Sequence, residues 1–125
     1  MSGDRSGCKA SRFKCQSPTL PASELPPKAQ DFFKAYDDKY GDKTPDPYSI
    51  YGYEAMQLAL DAIERSGTGE KADVLKAVFD TEDRESVLGT YSIDENGDTT
   101  LTDYGVYTID GGELTFDSTI KAQAG

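Results

Sequence analysis

Histidine is absent from this sequence of 125 residues. Without an imidazole, the chain cannot activate a serine or cysteine nucleophile in the usual way, and it lacks the commonest metal ligand. Its two cysteines, Cys8 and Cys15, are too few for a typical structural zinc site. They form either a small disulfide loop or two plain thiols. We therefore expect no metal, no cofactor and no enzymatic activity.

Basic residues and long apolar runs are also scarce. Lys and Arg number 13 against 23 Asp and Glu, which gives a formal net charge of -10. This charge disfavours contact with nucleic-acid backbones and anionic membranes. No run approaches the roughly 20 apolar residues of a membrane span, and the N-terminus lacks the apolar stretch of a signal peptide. The length suits one domain with a modest core.

The strongest secondary-structure signal is a helix over Tyr48 to Arg65. Asp46 is placed to accept from the free N–H groups of its first turn, and Pro47 suits the first helical position. Gly67 can adopt the left-handed conformation that ends a helix. The ends of this helix are therefore well defined by the sequence alone.

The same helix has one narrow polar stripe and a wide apolar surface. Its stripe consists of Glu54, Gln57, Asp61 and Glu64 or Arg65. The rest of the helix is largely apolar or small, which is typical of a helix covered on several sides. We expect more cover for it than two short helices and a few strands provide.

Two further helices flank this one. Pro27 to Tyr40 has an apolar face that predicts an amphipathic helix, closed by Gly41. That face carries Ala29, Phe32, Phe33, Tyr36 and Tyr40. A third, shorter helix is predicted over Lys71 to Asp80, after a Gly-Thr-Gly turn.

The last third of the chain changes to strand character. Val87 to Ile93, Tyr104 to Ile109 and Glu113 to Phe116 are rich in β-branched and aromatic residues. Gly111-Gly112 supplies the positive φ angles of a tight reversal between the last two. A short antiparallel meander is therefore predicted.

The acidic segment Asp94–Asp98 places side-chain oxygens at alternate positions, as a calcium-binding EF-hand loop does. That loop also needs glycine at its sixth position and glutamate at its twelfth, where this chain has Thr99 and Gly105. A turn between antiparallel strands explains the same residues without a metal.

The two ends of the chain have no clear period. Residues 1–22 are predicted to be a flexible arm, with a non-native origin as one interpretation of it and a strand over Arg12 to Gln16 as the structural alternative. Residues 23–116 form the structured segment, and residues 117–125 are predicted to be a frayed tail.

Together, these elements resemble the C-terminal part of the branched-chain amino-acid type of periplasmic binding protein, the type I solute receptors of ABC importers. The residues that carry the resemblance are Ser17-Pro18, Phe32-Phe33, Tyr36, Tyr40-Gly41, Pro45, Tyr48, Tyr53-Glu54-Ala55-Met56, Leu60, Gly89, Ile93–Asp98 and Tyr104–Tyr107. The family usually has Tyr-Asp-Ala where this chain has Tyr53-Glu54-Ala55. The order and spacing of the pieces make the resemblance specific.

The resemblance implies an α/β fold, α+β when this segment stands alone, with three helices followed by an antiparallel meander. In the family, two lobes enclose the amino acid, and the start of the long helix approaches the cleft. Tyr48 and Tyr51 are thereby implied as ligand-binding residues, the alternative being that either ring belongs to the core. The family's loops for the ligand's ammonium and carboxylate lie in earlier parts of its chain.

The function implied is that of a fragment of an ABC-importer solute-binding protein for branched-chain amino acids or related small molecules, without catalysis. A full-length parent would have a small-molecule ligand and an ABC permease as partners, in the periplasm or at the outer face of the cell envelope. The alternative is a free-standing interaction or oligomerisation module, in which an uncovered helix and sheet edges meet a partner or a second copy.

Overall fold

The computed structural model describes residues 13–41, 43 and 45–123. Its elements are β1 (Phe13–Ser17), a short 3₁₀ helix (Ala22–Glu24), α1 (Pro27–Tyr40), α2 (Ser49–Ser66), α3 (Lys71–Phe79), β2 (Arg84–Ser86), β3 (Gly89–Tyr91), β4 (Asp103–Asp110) and β5 (Glu113–Lys121). The predicted class, with three helices followed by antiparallel strands, is confirmed. No helix in these ranges is both long enough and apolar enough to cross a membrane.

The helices begin and end close to the predicted residues. The predicted cap of α2 is corrected by two residues: the helix begins at Ser49, Tyr48 is its N-cap, and the Tyr48 side chain makes no capping hydrogen bond. Asp46 Oδ1 instead accepts a hydrogen bond from the Tyr48 N–H at 2.9 Å, in the turn that leads into α2. Gly67 ends α2 with a φ of 68°, and Gly41 ends α1 with the same φ. Local capping signals therefore locate both helices.

The larger sheet has three antiparallel strands in the order β1-β4-β5. Gly111 and Gly112 both have positive φ and form the predicted reversal between β4 and β5. Tyr107 and Phe116 are cross-strand partners, and their ring centroids lie 5.7 Å apart. This aromatic pair helps to fix the register of the two strands.

The second sheet is a hairpin of β2 and β3, so the strands form two sheets and not one meander. The strand predicted over Val87 to Ile93 is corrected, because the chain reverses at Val87 and Leu88. The Ser86 hydroxyl stabilises the reversal by donating to the Gly89 carbonyl at 2.7 Å and accepting from the Leu88 N–H at 3.0 Å. Val87 is buried although it lies in the turn. Its apolar side chain is the reason why the sequence of the turn resembles that of a strand.

A small core joins the first half of the chain to the hairpin. It consists of Leu25, Ala29, Ile50 and Val87, with Leu20, Phe32, Phe33, Tyr51 and Leu88 packed around it. The predicted inner face of α1 is therefore confirmed through Phe33. Tyr40, at the far end of that face, is 52% exposed. It lies outside the core, and its ring packs only against that of Tyr36 among the described aromatic rings.

The polar stripe of α2 is buried at its first residue, Glu54, and becomes exposed at Glu64 and Arg65. Glu54 is only 4% exposed, whereas Met56 on the same helix is 60% exposed. The exposed apolar surface of α2 consists of Tyr53, Met56, Leu60 and Ile63, and in α3 Leu75 and Phe79 are also exposed. The cover expected for this wide apolar surface is therefore not provided by the described residues.

Strands occur within both segments that the sequence predicts to be irregular. β1 lies inside the predicted arm 1–22, at the position of the alternative strand, and pairs with β4 from Phe13 to Ser17. β5 extends to Lys121, inside the predicted tail 117–125. Both strands form because their backbones hydrogen-bond to β4. The polar composition of the two segments gives no indication of this pairing. Cys8 lies outside the described residues, so the predicted alternatives for the cysteines are not resolved.

Candidate ligand-binding site

A cavity of about 320 Å³ lies beside α2. Its walls come from α2, from the segment between β1 and α1, and from the chain between β3 and the start of β4. The lining residues are Pro18, Leu20, Leu25, Tyr51, Glu54, Ala55, Leu58, Leu88, Tyr91, Thr99, Leu101, Asp103 and Tyr104. An apolar lining with a few polar groups is typical of small-molecule sites.

Tyr51, one of the two predicted ligand residues, lines this cavity. Its hydroxyl donates to the Pro18 carbonyl oxygen at 2.6 Å, which ties α2 to the segment that follows β1. Burial raises the pKa of Tyr51 above its usual value. The side chain therefore presents its ring to the cavity, while its proton is already bonded.

Tyr48, the other predicted residue, lies outside this cavity. Its side chain is 59% exposed, and its ring centroid is 6.3 Å from that of Tyr51. The two rings form a continuous aromatic surface at the start of α2, as the spacing of three residues on a helix requires.

Among the described residues that line the cavity, Glu54 is the only acidic residue that is buried. Its Oε1 accepts one hydrogen bond from Arg84 Nε at 2.8 Å and another from the Tyr91 hydroxyl at 2.9 Å. Arg84 Nη1 also lies 3.2 Å from Asp61 Oδ2. Two residues of the polar stripe, Glu54 and Asp61, thus pair with groups on β2 and β3.

This pairing keeps the polar groups of the network in defined protonation states. Burial lowers the pKa of Arg84, but the hydrogen bond and charge of Glu54 outweigh this effect and raise it overall. Burial and the neighbouring Glu54 carboxylate raise the pKa of Tyr91 to about 12. Near neutral pH, Arg84 is charged and Tyr91 is neutral.

The stability of the chain is expected to fall above pH 10, in part through Tyr91. Its pKa is 10.0 when unperturbed and about 12 in the fold. As the pH rises through this window, the unfolded chain loses the phenol proton first, so the free energy of unfolding decreases. Two pKa units correspond to about 2–3 kcal/mol. Urea denaturation on either side of the window measures the decrease.

Tyr91→Phe should lack this part of the alkaline decrease, because it has no phenol proton. Tyr40→Phe, which removes the hydroxyl of an exposed tyrosine, is the matched control. An alkaline decrease of the same size in Tyr91→Phe and in the wild type would show that Tyr91 does not contribute to it.

Sequence reasoning identified the stripe that contains Glu54 but not its burial. Glu54 stands in the Tyr53-Glu54-Ala55 piece, and this acidic position within an otherwise apolar helix turn was the available signal. The acidic segment Asp94–Asp98 is a turn, as predicted: Asp94 Oδ1 accepts from the N–H groups of Asn96 and Asp98 at 2.9 Å each. Its carboxylate thus stabilises the local backbone.

Comparisons with known proteins give a consistent result. Leu/Ile/Val-binding protein homolog 1 of Brucella abortus (strain 2308) is 34% identical over 77 residues, which are 62% of this chain and 20% of the relative. The solved leucine binding protein LivK of Thermotoga maritima MSB8 matches with a TM-score of 0.73 at 28% identity, over 88% of this chain and 31% of its own.

A second solved structure is the ABC transporter substrate-binding protein of Desulfitobacterium hafniense in complex with Leu. It matches with a TM-score of 0.69 at 25% identity, over 86% of this chain and 31% of its own. This chain therefore spans about a third of the solved relatives and a fifth of the curated one.

The family model for periplasmic binding proteins matches residues 7–113, a range that contains all three helices and β1 to β4. The match agrees with the resemblance that the motifs indicate, and with the fold of the solved relatives. The chain belongs to the periplasmic binding protein family.

Proposed function

We propose that this chain is one part of a two-lobed solute-binding protein of an ABC importer. The parent would hold a branched-chain amino acid or a related small molecule between its lobes, without chemistry, and deliver it to a permease at the outer side of the membrane. The observation that carries the proposal is the match of 86% of this chain to 31% of a substrate-binding protein solved with leucine.

The aromatic surface at the start of α2 suits one wall of such a cleft. Tyr48 is largely exposed and Tyr51 is half-buried beside it, so both rings can contact an aliphatic side chain. The Tyr51 hydroxyl is held by Pro18. We propose that these two residues contribute apolar contact and that groups outside this chain bind the ammonium and carboxylate of the ligand.

The chain alone is expected not to bind leucine, isoleucine or valine with micromolar affinity, because one wall of a cleft buries too little of the ligand. Isothermal titration of the full 125-residue chain tests this expectation. Micromolar or tighter binding by the chain alone would contradict the requirement for a second lobe.

In a parent that contains both lobes, Tyr48→Ala should weaken amino-acid binding by about tenfold, because a buried aromatic contact is lost. Tyr40→Ala removes another exposed tyrosine, at the end of α1, and is the control. Equal affinities of the two variants would exclude Tyr48 from the ligand wall.

Self-association is the second candidate, and the exposed apolar surface of α2 and α3 favours it. A second copy that covers this surface would make the chain a dimer or higher oligomer at micromolar concentration. Size-exclusion chromatography with light scattering gives the molar mass. A monomer of 13.6 kDa across the concentration range would rule this candidate out.

A further inference from the structure

The cavity beside α2 has an unusual combination of an apolar lining and charges of one sign. Both charged residues among its described lining, Glu54 and Asp103, are acidic, and neither Lys nor Arg lines it. Arg84, the partner of Glu54, instead lines a separate polar hollow with Asp61 and Arg65. The charge complementary to this cavity is therefore positive.

One oxygen of the buried Glu54 carboxylate is available to a ligand. Both hydrogen bonds to this side chain from described residues end on Oε1. Among the described residues, no fully buried side-chain oxygen or nitrogen lacks a partner. Because Oε2 accepts no hydrogen bond from a described residue, it retains accessible surface, and Glu54 lines this cavity and not the polar hollow. The free oxygen therefore faces the cavity.

Arg84 pairs with Glu54 through Oε1 only, and Asp61, which lies 3.2 Å from Arg84, is also paired with Arg65 at 2.8 Å. Asp103 lies at the exposed rim of the cavity, where Lys121 Nζ is 3.5 Å from its Oδ1. The Lys121 side chain is largely in solvent, so water screens this pair. A cation inside the cavity would meet the carboxylate of Glu54, which is only 4% exposed, so water screens its charge less than that of Asp103.

We infer that this cavity binds an apolar primary amine. The ammonium group donates to Glu54 Oε2, and the hydrocarbon part lies against the leucine side chains and the rings of Tyr51 and Tyr104. The site shares Tyr51 with the proposed amino-acid wall, but its charged contact, Glu54, is no part of that wall, so the inference does not rest on the proposed function. It excludes amino acids, because their carboxylate would enter a cavity whose described lining offers it no cation.

Isoamylamine and leucine form a matched pair of probes, since the amine is leucine without its carboxylate. NMR titration of the full chain should show saturable amide shifts around the cavity with isoamylamine, with a dissociation constant on the order of 1 mM for so small a ligand. Leucine and isoamyl alcohol should each bind at least about tenfold more weakly, because each loses the charge complementarity.

Glu54→Gln should weaken amine binding by at least about tenfold, whereas Glu113→Gln, at the far end of β5, should leave it unchanged. Ala55→Trp is a second variant, because Ala55 is exposed and lines the cavity, so a large ring there blocks it without replacing a buried residue. Ala55→Trp should abolish the shifts.

The inference would be overturned by no saturable shift with isoamylamine, by equal binding of isoamyl alcohol, or by unchanged binding in a folded Ala55→Trp. Leucine that bound as well as isoamylamine would also overturn it. These outcomes leave the proposed function untouched, because that proposal concerns amino-acid binding by a parent with both lobes. Conversely, failure of such a parent to bind amino acids would not affect the amine site.

Discussion

Glu54→Met is expected to lower the free energy of unfolding by about 3 kcal/mol. The substitution leaves Arg84, whose side chain is only 18% exposed, without the carboxylate that accepts from its Nε at 2.8 Å. It also removes the acceptor of the buried Tyr91 hydroxyl. Urea denaturation followed by circular dichroism measures the loss.

Glu85→Met is the matched control for this substitution. Glu85 pairs with Lys28 at 3.1 Å, but both side chains are more than half exposed, so the expected cost is below about 1 kcal/mol. The double variant Glu54→Met with Arg84→Met should cost less than the sum of its single changes, because no buried charge is then left unpaired. Equal costs for Glu54→Met and Glu85→Met would refute the buried pair.

Ile50→Ala is expected to lower the free energy of unfolding by about 3 kcal/mol, since it opens a cavity in the core. Ile50 is 2% exposed and packs in the cluster that also contains Leu25 and Val87. Met56→Ala, on the same helix, should change stability by no more than about 0.5 kcal/mol, because Met56 is 60% exposed.

This pair of substitutions reports which face of α2 is inside. A large cost for Met56→Ala in a monomeric chain would contradict the observed orientation of the helix. A cost that appears only at concentrations where the chain associates would instead locate the contact between copies on this face.

Most of the element order followed from local signals. Proline, glycine and aspartate at the ends of α1 and α2 satisfy or terminate backbone hydrogen bonds within a few residues, so their effect is visible in the sequence. The reversal at Gly111 and Gly112 is equally local, because only its own φ angles are required.

The predictions that failed depended on contacts between distant residues. The β2–β3 hairpin was missed because its turn consists of Val87 and Leu88. Both are apolar residues that pack in the core, so the turn has none of the polar residues that usually mark a turn in a sequence. β1 was left as an alternative because its hydrogen-bond partner is β4, about ninety residues later in the chain. Neither fact has a local signal.

The candidate site divides in the same way. Tyr48 and Tyr51 were found from the resemblance of the chain around them to a known family, and their roles as ligand contacts stay predictions. Glu54 was distinguished only by the fold, which buries it and places it in the lining of the cavity. Sequence alone gave it the same weight as its neighbours in the stripe.

By itself, the sequence determined that α2 is a helix, where it begins and ends, and that its polar residues form one stripe, because these properties depend on neighbours within a few positions. Only the tertiary structure decided that the stripe turns inward at Glu54. The partners of Glu54 are Arg84 and Tyr91, 30 and 37 residues away, and with these contacts no fully buried side-chain nitrogen or oxygen of the described residues lacks a hydrogen-bond partner. The apolar face is left exposed as a consequence.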